Sequence, residues 1–266
     1  KENQLKSIYN LIANIYQDKI LFSRYLDYTT KNWTAITDVK LNFTYKISPN
    51  KIANKSEISE QQKDIEKLCQ FFECNPIYFT YYSCVNPKEI FEIKGFDYNS
   101  MMYIDKTGGL ADYGNIIFSG NNSEIYTHEI IHIYTSNLFP KIDKFIDEGL
   151  ATLMAGSGKY SYEWHRNKLD KFLNENNDYN FAKHTDAYER IYFENETSIP
   201  YMTSALILER TLRVYGKEKL MELLKSENEL WTTLKTVGLT KENINEELRK
   251  QIKLPLITRV SLRAEH

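Results

Sequence analysis

Few cysteines, few histidines and the lack of any long apolar run set the first bounds on this 266-residue chain. The three cysteines, Cys69, Cys74 and Cys84, fall in one short segment without the paired Cys-x-x-Cys spacing of a zinc ribbon. An odd number allows at most one internal disulfide, and buried free thiols acting as small hydrophobes fit equally well. No stretch reaches the roughly 18 consecutive apolar residues that a membrane-crossing helix needs. Neither sign of charge dominates: 34 Lys and Arg stand against 36 Asp and Glu, for a net charge of −2. With no basic run, no nucleic-acid partner is expected. There is no Gly-rich phosphate loop and no Gly-x-Ser-x-Gly elbow, which leaves nucleotide-dependent and serine chemistry unsupported. Internal repeats and low-complexity linkers are missing too. With 42% hydrophobic and 26% charged residues, the chain has the balance of a globular protein with a sizeable core.

What the sequence does contain is concentrated around Thr127-His128-Glu129-Ile130-Ile131-His132. The flanking Ile125-Tyr126 and Ile133-Tyr134 extend it into an apolar run of helical length. On a helix, residues four apart stand one above the other, so His128 and His132 aim two imidazoles at one point. That is half of a tetrahedral zinc site. Glu129, one step round from His128, can lean over a metal-bound water and accept its proton. A catalytic zinc takes a third protein ligand and leaves the fourth position to water. Downstream of a break at Pro140, Phe145-Ile146-Asp147-Glu148-Gly149-Leu150-Ala151-Thr152 reads as the start of a second helix. Glu148 is the natural third ligand, and the small Gly149 and Ala151 would let this helix pack closely on the first. Asp147 and Thr152 flank the ligand and are candidates to orient His128 or His132.

His-Glu-x-x-His followed by Glu-Gly-Leu-Ala on a downstream helix resembles the gluzincin metallopeptidases, a group containing thermolysin-like enzymes and large zinc aminopeptidases. The resemblance implies a zinc-dependent peptidase with one Zn2+ per chain, held by His128, His132 and Glu148, with Glu129 as general base. It also implies an edge strand that pairs with extended substrate. Asn115, Ile116, Ile117 and Phe118, which read as a strand, are the expected substrate-binding residues on that analogy. The aminopeptidases carry Gly-x-Met-Glu-Asn at this point; here the stretch is Gly109-Leu110-Ala111-Asp112-Tyr113-Gly114, with Asp112 as a loose counterpart. Ile199-Pro200-Tyr201 resembles the aminopeptidase Pro-Tyr-Glu-Lys-Gly stretch, which makes Tyr201 the implied oxyanion donor. Met202-Thr203-Ser204 replaces the family's Glu-Lys-Gly. His165 and His184 lie in no recognisable pattern and read as surface or satisfied core histidines.

The periodicity along the chain predicts an α+β fold: a mixed α/β N-terminal lobe with a small sheet, then an α-helical C-terminal lobe; the motif and the resemblance put zinc at the junction. Residues 1–40 are read as an N-terminal helical segment, since Leu5, Ile8, Tyr9, Ile12 and Ile15-Tyr16 follow a helical period from Gln4 to Leu26. By the resemblance, residues 41–254 are expected to form a single metallopeptidase domain, with an α/β lobe over 41–122 and a helical lobe over 123–254. Strands are expected over Leu41–Ile47, Ile77–Tyr82 and Asn115–Ser119, and helices over Ser56–Phe72 and Pro87–Ile93. Thr107–Gly114 reads as a turn, and further helices are expected at Tyr162–Asn174, Asp186–Phe193, Ser198–Tyr215, Lys219–Lys225, Leu230–Thr236 and Lys241–Ile252. Residues 255–266 are a tail, Ala264-Glu265-His266 resembling the stub of a purification tag. Lys1 in place of Met suggests a removed leader. The twenty Tyr, with many Lys, Asn and Ile, have the flavour of an AT-rich bacterial genome. By resemblance, an extracytoplasmic location (secreted, periplasmic or lipid-anchored) and a peptide or protein substrate are expected. The alternative is a non-catalytic module that keeps the fold and binds peptides or a partner, for which Glu129 would have no use.

Overall fold

The computed structural model describes residues 5–99 and 108–257; the expectations placed on Lys1, Gln4, Thr107 and the Ala264–His266 stub lie outside them. The fold is α+β, with an N-terminal sheet region and a helical C-terminal part. Two compact units divide the chain between Ile130 and Ile131.

The first unit opens with three strands, β1 (Ser7–Tyr9), β2 (Ile12–Tyr16) and β3 (Lys19–Ser23), where the sequence suggested one helix. Gln17 and Asp18 explain the difference. Both adopt positive φ, 45° and 59°, and close a two-residue hairpin in which Tyr16 pairs with Lys19. Two consecutive left-handed residues are the turn geometry that matches the twist of paired strands. The β-branched and aromatic Ile12, Ile15, Ile20 and Phe22 then favour extended backbone, although their spacing also fits a helix.

After α1 (Tyr25–Thr29) come β4 (Thr34–Asp38), β5 (Phe43–Ile47), α2 (Lys55–Phe72), β6 (Phe79–Ser83), α3 (Pro87–Ile93), β7 (Phe96–Asn99), β8 (Gly109–Asp112) and β9 (Ile116–Ser119). Strand β7 pairs with β1, while the main sheet has the order β4-β5-β6-β9-β8. Its centre is parallel and its two flanking pairs are antiparallel. Helix α2 crosses from β5 to the parallel β6, and Asn54 starts it by accepting the amides of Ser56 and Glu57. Buried aromatic residues pair across the two strands: Phe43 stacks on Phe79 and Tyr45 lies 4.6 Å from Tyr81. Such cross-strand pairs fix register as well as stability.

Helix α4 (Thr127–Leu138) follows β9. The second unit continues with α5 (Lys144–Ala155), α6 (Tyr162–Glu175), β10 (Tyr192–Phe193), β11 (Thr197–Ser198), α7 (Ile199–Leu224), α8 (Leu230–Lys235) and α9 (Ile244–Gln251). The helix expected over Asp186–Phe193 is instead a turn leading into β10. Asp186 accepts the amide of Tyr188, and Glu194 and Asn195, both at positive φ, turn β10 back onto β11. Gly216, at φ 82° and ψ 179°, interrupts α7 just past Tyr215, where the expected helix ends. Helix α5 is buried at every position from Phe145 to Ala155, as befits a helix that is apolar nearly all round. Gly149 makes its packing possible, though not against α4 as expected: a Cβ there would sit 2.1 Å from the Ser204 hydroxyl of α7.

Candidate metal centre

Helix α4 is held in place by Ile130, Ile131, Ile133 and Tyr134, all buried. Its polar residues therefore share the remaining face. The ligating atoms of His128, Glu129 and His132 come within 4.8 Å of one another and can hold a metal ion. Both histidines are 8% exposed, which gives a bound ion a largely dry surrounding and leaves a way in.

Glu148 lies on α5, in the same unit as His132. Its Oε2 lies 3.4 Å from His132 Nε2. Two donors each about 2.0–2.1 Å from a tetrahedral ion stand roughly 3.4 Å apart, so this separation fits a shared ion as well as a direct ion pair. Charged groups on a buried helix must be paired, and every one here is. Lys144 lies 3.0 Å from both Glu148 Oε1 and Asp147 Oδ2. The Thr135 hydroxyl donates to Asp147 Oδ1 at 2.6 Å. Asp147 Oδ2 is 2.9 Å from His132 Nδ1, which leaves Nε2 facing Glu148. Asp147, beside Glu148 in the chain, thus lies against the His132 ring nitrogen that faces away from Glu148. Burial opposes a charged His132, but the carboxylates of Asp147 and Glu148 outweigh it and raise its pKa to about 10. Burial likewise opposes an ionised Asp147, yet the His132 contact leads a set of partners that hold its pKa below the ordinary carboxylate value.

Glu129 does not point at random. Its Oε2 accepts the main-chain N–H of Ala111 at 2.7 Å. Ala111 lies on β8, which pairs with β9 and, among the described residues, forms one edge of the main sheet. The sequence reading placed the edge one strand too late. Ile116, Ile117 and Phe118 are buried in β9, which is paired on both sides, and Asn115 sits at positive φ in the preceding turn with its amide donating to Tyr78 O. None of these four offers a free strand edge. Among the described residues, the stretch read as a turn, Gly109 to Asp112, is the strand at that edge, with its Ala111 N–H taken by Glu129.

Tyr201 occupies the first turn of α7, half-buried, one turn before the Ser204 that packs on Gly149. It therefore shares a helix face with the residue that touches the neighbour of Glu148. His165 is a satisfied core histidine: Nδ1 lies 3.0 Å from the Thr197 hydroxyl and Nε2 is 2.9 Å from Ser157 O. His184 pairs with Glu189 and stacks on Tyr179. Thr152 is fully buried on α5. Sequence reasoning missed Lys144 and Thr135; the i, i+4 spacing of Lys144 and Glu148 was the one local signal available. A scan against protein-family models and a search of curated proteins found no match.

Proposed function

We propose that this protein is a zinc-dependent peptidase in which His128, His132 and Glu148 hold the metal and Glu129 is the general base. The observation that carries the proposal is the 3.4 Å approach of Glu148 Oε2 to His132 Nε2, beside the His128–Glu129–His132 cluster. Two imidazoles and one carboxylate are the donor set of a catalytic zinc site, and an all-protein fourth ligand would close it. Zinc, when bound, supplies Lewis acidity and lowers the pKa of water towards neutrality.

The chain's own residues perform the rest. Peptide lies antiparallel or parallel along the outer edge of β8, using the Gly109–Asp112 backbone by strand addition and taking over the Ala111 N–H from Glu129. Glu129 already touches this edge through Ala111, so its carboxylate stands where a scissile carbonyl would pass. It takes the proton from the attacking water and delivers it to the leaving amine. Tyr201 is the assigned oxyanion donor, since a phenol is neutral at pH 7 and keeps its proton to donate. A secreted, periplasmic or lipid-anchored setting fits the gluzincin resemblance.

The test is cleavage of a mixed peptide library by the zinc-loaded protein, read by mass spectrometry. Products are expected from the parent and not from Glu129→Gln, which should retain fold and zinc. A zinc-loaded parent that binds peptides without cutting them would instead establish the non-catalytic module.

A further inference from the structure

The residue before helix α4 is Tyr126. The amides of Glu129 and Ile130 both bond to Tyr126 O, at 3.1 and 3.3 Å, so Tyr126 fills the capping position. A tyrosine there has no short oxygen to accept the first-turn amides, as Ser, Thr, Asp or Asn would. The strap that leads into α4 is held from α2 instead. Glu57, Gln61 and Asp64 stand at i, i+4 and i+7, a polar stripe along one face of α2. Glu57 Oε2 accepts from the Ser123 hydroxyl and the Glu124 amide, both at 2.7 Å. Gln61 Oε1 accepts the Tyr126 amide at 2.7 Å, and its Nε2 donates to the Thr127 hydroxyl at 3.0 Å. That hydroxyl in turn donates to Asp64 Oδ2 at 2.6 Å. Gln61, Asp64 and Thr127 are buried, at 0%, 3% and 0% exposure.

A buried carboxylate and a buried amide are costly unless satisfied. Apolar side chains at Gln61, Asp64 and Thr127 would pack α2 against the strap without that demand. A polar lock gives something apolar packing does not: it fixes the rotation and axial position of the first turn. Thr127 is bonded to His128, and Tyr126 O sets the amide of Glu129. We infer that Gln61 and Asp64 are positioning residues that act through Thr127 and Tyr126 to hold His128 and Glu129 at reacting distance. The kinetic part of this inference rests on the peptidase reading; the structural part does not. Misplacement of a reacting group by about 1 Å costs on the order of 10²-fold in rate, so a lock at this point governs turnover more than substrate affinity.

The test compares Thr127→Val, which keeps the shape and loses the hydroxyl, with Thr127→Ser, which keeps the hydroxyl. Three quantities are read on zinc-loaded protein: amide hydrogen exchange at Glu129 and Ile130, zinc affinity, and kcat and KM on the library peptide the parent cuts fastest. In Thr127→Val, exchange at those two amides should rise about tenfold and kcat should fall by about the same factor, with KM within about twofold. Thr127→Ser should restore both. Gln61→Met, close in shape and free of both contacts, is read by the same criteria if Thr127→Val does not fold. A variant that melts earlier yet shows parental exchange at Glu129 and Ile130 and parental kcat per bound zinc overturns the inference. A parent that cuts no peptide would sink the peptidase reading, and the exchange rates would still decide whether the lock exists.

Discussion

Asp147 sits beside Glu148 on a helix buried from end to end, and its two oxygens are spoken for by Thr135, Lys144 and His132. With Nδ1 of His132 held in this way, Nε2 is left to face Glu148. Asp147→Ala should therefore weaken zinc binding by about 10–100-fold while leaving the three ligands in the chain. Competition dialysis against a chelator of known affinity measures this; a parental zinc affinity in Asp147→Ala would show that the His132 ring is oriented by its packing alone. His128, Glu129 and His132 were legible in the sequence because their relation is local, fixed by the pitch of a single helix. Asp147 was legible only as a candidate for either histidine. Its choice of His132 depends on where α5 lies beside the turn of α4 that carries Thr135, and no spacing in the sequence encodes that.

At the scale of elements, the difference between β8 and β9 matters most for function. The sequence shows Asn115–Ser119 as an apolar strand, and apolar strands are buried ones. That is why it cannot be the edge. The edge strand, Gly109–Asp112, has two small residues and one acid, and a run of that kind reads as a turn. If substrate adds to β8, the Ala111 N–H that Glu129 now accepts becomes a contact point for peptide or base. Ala111→Pro removes this donor without breaking the β8–β9 ladder only if the N–H points outward, as its bond to Glu129 indicates. Its kcat/KM should fall by about tenfold, the worth of one hydrogen bond, with zinc content unchanged. Steady-state kinetics decide it, and an unchanged kcat/KM would move substrate off this strand. The N-terminal hairpin failed to show for a related reason. Its apolar residues satisfy both periods, and the deciding signal was the backbone preference of Gln17 and Asp18, which side-chain pattern does not report. By contrast α2, α3, β5 and β6 carry clear periods bounded by Asn54, Asn86 and Pro49, and they stand close to where those signals place them.

For the molecule as a whole, the first unit carries the main sheet, the polar stripe of α2 and the start of α4, and the second carries Asp147, Glu148 and Tyr201 on its helices. The α+β class followed from the order of periods along the chain. The position of Gly149 against Ser204 did not, because a glycine in a helix announces a close neighbour without naming it. The central claim is that Glu148, and not Glu129, completes the zinc site, which leaves Glu129 free to move protons. Zinc content by inductively coupled plasma mass spectrometry, on purified zinc-replenished parent, Glu148→Ala and Glu129→Gln, tests it directly. The account predicts close to one zinc per chain in the parent and in Glu129→Gln, and sharp loss in Glu148→Ala, since a site of three protein ligands does not survive the removal of one. Full zinc in Glu148→Ala together with loss in Glu129→Gln would contradict it, making Glu129 the third ligand and leaving the proposed reaction without its base.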